Sequence, residues 1–120
     1  METKDLQNAL AQFTGTEKYH RIYPQVVLTD GTKYLADTAG CYWLMDLYSS
    51  HLACVDPNIE SFTCLKLTRQ GLGAEIVIED GNTHALGKQQ IEYTDFPFEN
   101  FMFYAVWAGE FWVLMLTSEY

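Results

Sequence analysis

The sequence predicts a mixed α+β domain, an antiparallel sheet of four to six strands packed on one main helix plus a short N-terminal helix. Three observations carry this expectation. The first half holds two segments with apolar residues at three- and four-residue spacing, which is helical periodicity. The second half holds a succession of short β-rich runs separated by Asp-Gly, Gly-Leu-Gly and Ala-Gly-Glu turns. The 120 residues suit one domain, 1–120, and leave no room for two.

In chain order, Lys4 to Phe13 is expected to be a helix, with Leu6, Ala9, Leu10 and Phe13 on one face and Gly15 as its left-handed stop. Thr14 to Glu17 then turns, and Pro24 interrupts any longer element. Gln25 to Thr29 reads as a strand. Asp30-Gly31 is a hairpin or tight-turn signal, because glycine supplies positive φ at low cost. The segment TKYLADTAG suits a return strand or a helical turn, and the helical turn is preferred, with Gly40 as the break. Cys41 to Cys54 is the main helix: Trp43, Leu44, Leu47, Tyr48 and Leu52 form a wide apolar face opposite Asp46, Ser49 and Ser50. Asp56-Pro57-Asn58 ends it.

Strands follow at Phe62 to Thr68, Ala74 to Glu79, Gln89 to Tyr93, Phe101 to Trp107 and Phe111 to Thr117. The last two are apolar on both faces, which predicts a central position in the sheet. No repeat, linker or low-complexity tract is visible.

Composition narrows the function classes. The chain is 48% hydrophobic and 15% aromatic, too rich in apolar residues for a disordered segment. Sixteen acidic against seven basic residues give a net charge of −9. Direct nucleic-acid binding needs a basic stripe for the phosphates, and none exists. A protein partner with a basic surface, such as a nucleic-acid-binding complex, suits the charge better. METKDLQNAL has no basic start followed by an apolar run, and the apolar stretch from Phe101 to Leu116 is broken by Gly109 and Glu110. The expected setting is the cytoplasm, away from membranes.

Three stretches carry a family likeness. They are Thr14-Gly15-Thr16-Glu17 with Tyr19 and Arg21; Thr29-Asp30-Gly31 with Lys33 to Ala36, Ala39-Gly40, Tyr42-Trp43-Leu44 and Asp46; and Tyr93 to Pro97 with the closing Ser118-Glu119-Tyr120. In combination the chain resembles a small uncharacterised domain family of bacteria, phages and plasmids. The resemblance implies no catalytic residues. It does imply a genomic setting, that of mobile elements, in which a small acidic protein is a candidate inhibitor of a host defence nuclease of the anti-CRISPR type.

The candidate chemistry is thin. His51 and Cys54 stand three apart on a helix, and Cys41 and Cys64 could join them, but zinc sites usually show paired ligands at both ends. No metal or cofactor is expected. The three cysteines sit among apolar residues, as inert thiols do. Gly71-Leu72-Gly73 leads into a strand, so it is a hairpin turn and no phosphate cradle. Asp95 is expected to accept backbone hydrogen bonds in a turn before Phe96-Pro97.

Two constellations remain. Glu75 and Glu79 share a strand face about 13 Å apart. With Asp80, Glu110 and the hairpin-tip Trp107, they form the expected partner-binding set of a non-enzymatic interaction domain. Such an acidic row can imitate the charge spacing of a phosphate track. Tyr19, His20, Arg21, Asp30 and Asp46 form the alternative, a polar site for a small enzyme or ligand sensor. A homodimer through a strand edge or the aromatic hairpin is the third expectation.

Overall fold

Alternate residues on five consecutive sheet strands enter one core: Val26 and Leu28; Trp112, Leu114 and Leu116; Phe103 and Ala105; Leu65 and Leu67; Ala74, Ile76 and Ile78. Period-two burial of this kind makes one face of a sheet apolar. A computed structural model describes residues 2–120 and shows what covers that face. Three helices do so: α1 (Thr3–Ala11), α2 (Asp30–Ala39) and α3 (Tyr42–Leu52). They contribute Leu6, Leu10, Leu35, Ala36, Leu44, Met45, Tyr48 and Leu52 to the same core. The result is a two-layer α+β arrangement.

The sheet has seven strands: β1 (His20–Tyr23), β2 (Val26–Leu28), β3 (Phe62–Gln70), β4 (Gly73–Asp80), β5 (Ala85–Ile91), β6 (Asn100–Trp107) and β7 (Trp112–Leu116). Their order is β1-β2-β7-β6-β3-β4-β5. The doubly apolar β6 occupies the centre, as its sequence predicts. Two expectations are corrected. There are seven strands, beyond the expected four to six, and the sheet is not purely antiparallel, since β2 runs parallel to β7.

The other differences have local causes. Asp30-Gly31 opens a ten-residue helix and makes no hairpin. Thr29 and Thr32 exchange hydrogen bonds at its start: the Thr32 amide donates to the Thr29 hydroxyl (3.2 Å), and the Thr29 amide donates to the Thr32 hydroxyl (3.0 Å). Gly40 stops the helix in the left-handed region at φ 61°. Helix α1 ends at Ala11, and Gly15 lies beyond it without positive φ. Strand β5 starts at Ala85 and ends at Ile91, earlier than the expected Gln89 to Tyr93. In the Tyr93–Pro97 stretch, the Thr94 hydroxyl accepts from the Phe96 amide (3.1 Å), the role expected of Asp95.

One carboxylate closes the fold. After β7 a 3₁₀ turn, Thr117–Glu119, brings Glu119 to the N-terminus of α2. Its Oε1 accepts from the Thr29 hydroxyl (2.6 Å) and the Leu116 amide (3.0 Å), and its Oε2 from the Gly31 amide (3.2 Å). A negative charge there also meets the positive end of the helix dipole. Gly31 is required by this approach, since a Cβ would stand 2.5 Å from Glu119 Oε1. Tyr120 then packs edge-on against Phe62 and Tyr104, whose rings lie on the sheet face away from the helices.

Glu119→Gln is expected to destabilise the protein by about 1–3 kcal/mol in urea unfolding, through loss of charge-assisted hydrogen bonds and the dipole contact. Gly31→Ala is expected to cost a similar amount by pushing Glu119 away. A Glu119→Gln variant as stable as the parent protein would show that the clasp contributes nothing.

Candidate functional site

The acidic–aromatic set is divided between the two faces of the sheet. Glu75 and Glu79 lie on the face of β4 away from the helices. The cross-strand register puts Lys66 and Lys88 on either side of Val77, between them. Lys66 Nζ pairs with Glu79 Oε2 at 3.1 Å. This row is therefore interleaved with cations. Asp80 points to the helix side and is 7% exposed. It accepts from the amides of Asn82 (2.8 Å) and His84 (2.9 Å) and meets the His84 ring at 3.1 Å, so it builds the β4–β5 turn. Glu110 is exposed in the β6–β7 turn, and Trp107 sits at the end of β6 on the helix side.

The polar set also separates. His20 Nε2 contacts Asp30 Oδ1 at 2.8 Å, while Asp30 Oδ2 accepts from the Glu17 amide (3.0 Å). The Asp30 amide donates to the Thr16 hydroxyl at 2.9 Å. These bonds pin the Thr14–Glu17 turn to the start of α2. Tyr19 meets Phe111 edge-on at 5.7 Å, and the Arg21 guanidinium stands 5.7 Å over the same ring while donating to the Pro24 carbonyl. Asp46 belongs elsewhere: on α3, it accepts from the Tyr23 hydroxyl at 2.8 Å.

That last contact borders the largest concavity described, an open groove of about 850 Å³. One wall is the α3 face carrying Asp46, Ser49, Ser50 and Ala53, at spacings of three, four and seven residues from Asp46. These side chains are short, which leaves space beside the helix. The opposite wall is the Tyr23–Val26 turn together with Trp107 and Trp112. Leu52, Val55 and Pro57 extend the apolar lining. Trp107 and Trp112 are cross-strand partners whose rings meet edge-to-face at 5.4 Å. Trp112 is nearly buried, and Trp107 remains partly open. The Trp112 amide donates to the Gln25 carbonyl (2.8 Å), which ties the two parts of this wall together. Ser50, Ala53 and Pro57 are lining residues that sequence reasoning missed. The polar face of α3 was visible, but not the turn it faces.

The family model for a family of unknown function (DUF6876) matches residues 4–120. The chain belongs to the DUF6876 family. Comparison with curated proteins and with solved structures brings no match. In this DUF6876 domain side-chain hydrogen bonds form load paths of the fold: Thr16 and Asp30 at the first turn, Thr29 and Glu119 at the clasp, Thr94 in the turn before Phe96, where Arg69 donates to the Phe96 carbonyl (2.5 Å).

Among the described residues no three His, Cys, Asp or Glu side chains gather as metal ligands would. No helix of the described DUF6876 chain is long and apolar enough to cross a membrane. Burial pushes the Cys41 thiol up to about 12 and the Cys64 thiol up to about 11, while Cys54 is exposed. The His20 contact, then the Glu17 amide, holds the Asp30 carboxyl below its ordinary value, and the His84 and Asn82 amides do the same for Asp80.

Two outcomes are expected of the DUF6876 domain. An aromatic disulfide reagent at pH 8 should modify Cys54 within minutes and reach Cys41 and Cys64 only on unfolding, because the buried thiols stay protonated. Rapid reaction of all three would contradict their burial. Secondly, carboxyls with depressed pKa values stabilise the fold fully above the unfolded value, near 4, and cease to do so as pH falls through the folded value. The urea midpoint should therefore drop on acidification below about pH 4. The fall should be shallower in Asp30→Asn with Asp80→Asn, measured over the same pH series.

Proposed function

We propose that this protein is a non-catalytic binding domain that holds a segment of a partner protein in the groove between α3 and the β6–β7 hairpin. The observation that carries this reading is the placement of Trp107. It is a large aromatic side chain left partly open, against Trp112, in an 850 Å³ space with few polar groups. Concave sites with apolar walls and a few fixed polar groups are the usual form of binding pockets, and tryptophan is enriched among residues that dominate binding energy. A protein segment fits better than a small molecule because the groove is open along one side.

The net charge of −9 favours a partner with a basic surface, whose encounter it would accelerate. A cytoplasmic inhibitor of a nucleic-acid-binding defence complex, encoded by a mobile element, has this requirement. The acidity supports that role, and the groove would provide the anchoring contact. Glu75 and Glu79 then act through their field, since they face away from the groove.

The test compares variants in affinity capture from the native cell, with binding to the recovered partner quantified. Trp107→Ala should weaken binding at least tenfold, the scale of a hot-spot truncation. Ser50→Trp should do the same by filling the groove from an exposed helix position, without removing a core contact. Glu75→Lys with Glu79→Lys should slow association mainly at low salt. Full binding by both groove variants, with loss in the charge-reversed one, would move the interface to the other face of the sheet.

A further inference from the structure

The groove has a charge preference. Its lining contains one ionisable acid, Asp46, and no lysine, arginine or histidine. Asp46 takes part in no ion pair among the described residues, and the contact described for its carboxylate is the Tyr23 hydroxyl at 2.8 Å. The surrounding rings are Tyr23, Trp107 and Trp112, and aromatic faces carry negative potential. A carboxylate without a cation, set among electron-rich rings, attracts an organic cation and repels an anion. The rest of the lining is Val26, Leu52, Val55 and Pro57, which a small cation alone would leave uncovered.

We infer that the groove is a receptor for an arginine side chain flanked by apolar residues, presented by a partner protein, with Asp46 as its counter-ion and Trp107 as its stacking surface. This assignment rests on the groove reading proposed above. Arginine suits the site better than lysine for two reasons. Its planar guanidinium can lie on an indole, which a compact ammonium cannot. Its fork of donors can reach two acceptors at once, and here the carboxylate of Asp46 stands next to the phenolic oxygen of Tyr23. Tyr23 already donates its proton to Asp46, so the lone pairs of its oxygen remain free to accept. The short side chains of Ser50 and Ala53 leave room along the helix for the flanking peptide.

The probe is a blocked hexapeptide, acetyl-Ser-Leu-Arg-Pro-Leu-Ser-amide, with lysine and citrulline versions. Citrulline keeps the shape of arginine and removes its charge. Binding is read from tryptophan fluorescence and from the indole N–H resonances of Trp107 and Trp112. The arginine peptide should bind roughly tenfold tighter than the citrulline peptide at low salt, with lysine between them. In Asp46→Asn that gap should close, and Tyr23→Phe should narrow it. Asp46 is exposed, so its variant is expected to fold normally. Equal binding of the arginine and citrulline peptides overturns the cation assignment and leaves the groove reading standing. An undiminished gap in Asp46→Asn overturns the role of that carboxylate. If acetyl-arginine-amide alone binds as well as the hexapeptide, the occupant is a small cation and not a protein segment. Indole signals unmoved by every probe would overturn both the assignment and the groove reading.

Discussion

The contact between Glu119 and the start of α2 joins residues about 90 positions apart, and the geometry of the helix side depends on it. Strand β2 has three residues, too few to hold its place by ladder hydrogen bonds alone. Its end is secured by the Thr29 amide and the Thr32 hydroxyl, both donating to the Leu114 carbonyl, and by the Glu119 carboxylate on Thr29 and Gly31. Its beginning is secured by the Trp112 amide on Gln25. Parallel pairing with β7 follows from these anchors. Helix α2 leaves from β2, and α3 follows after Gly40 and Cys41. Through that chain of connections the clasp sets the distance between the α3 wall of the groove and the tryptophans opposite.

The excess of acid does not form a single patch. Glu119 caps a helix, Asp30 fixes a loop, Asp80 builds a turn, Asp37 bonds Lys33 and Tyr42, and Glu79 pairs with Lys66. Each of these carboxylates has a donor that lowers its free energy in the folded state. Asp46 accepts from a phenol in the groove wall and, like Glu119, is in no ion pair among the described residues; what sets it apart is its place in the groove lining. Net charge by itself gives solubility and steering; an uncompensated carboxylate among aromatic rings gives a direction to approach from.

Elements with strong periodicity were legible from the sequence: α1, α3, the β3–β4 hairpin and the β6–β7 hairpin. The rest depends on partners distant in the chain. Thr-Asp-Gly between apolar runs is the same local signal for a turn and for a helix cap, and Glu119 decides between them here. Strand β5 lacks apolar alternation because its inward position Gly87 is occupied by the ring of His51, which also meets Gln89 at 3.3 Å. Strand β1 is an edge strand; its Arg21, with Tyr19 just before it, clamps Phe111, and only Ile22 packs against the core. The groove was hidden for the same reason. Asp46 and Trp107 were both candidates, but neighbouring roles for them required knowing that the Tyr23–Val26 turn stands beside Trp112.

The groove also follows from a mismatch between layers. Helix α3 has 11 residues and spans about 16 Å at 1.5 Å per residue. Strand β6 has eight residues and spans about 26 Å at strand rise. The groove opens between the C-terminal half of α3 and the tryptophans of the β6–β7 hairpin. Trp107 keeps part of its apolar surface open there, at roughly 25 cal/mol per Å² of area left unburied. On the opposite face of the sheet the chain covers its own rings, laying Tyr120 over Phe62 and Tyr104 and Arg21 over Phe111. Trp107 is likewise packed on Trp112, and the part of its ring that stays open faces the groove.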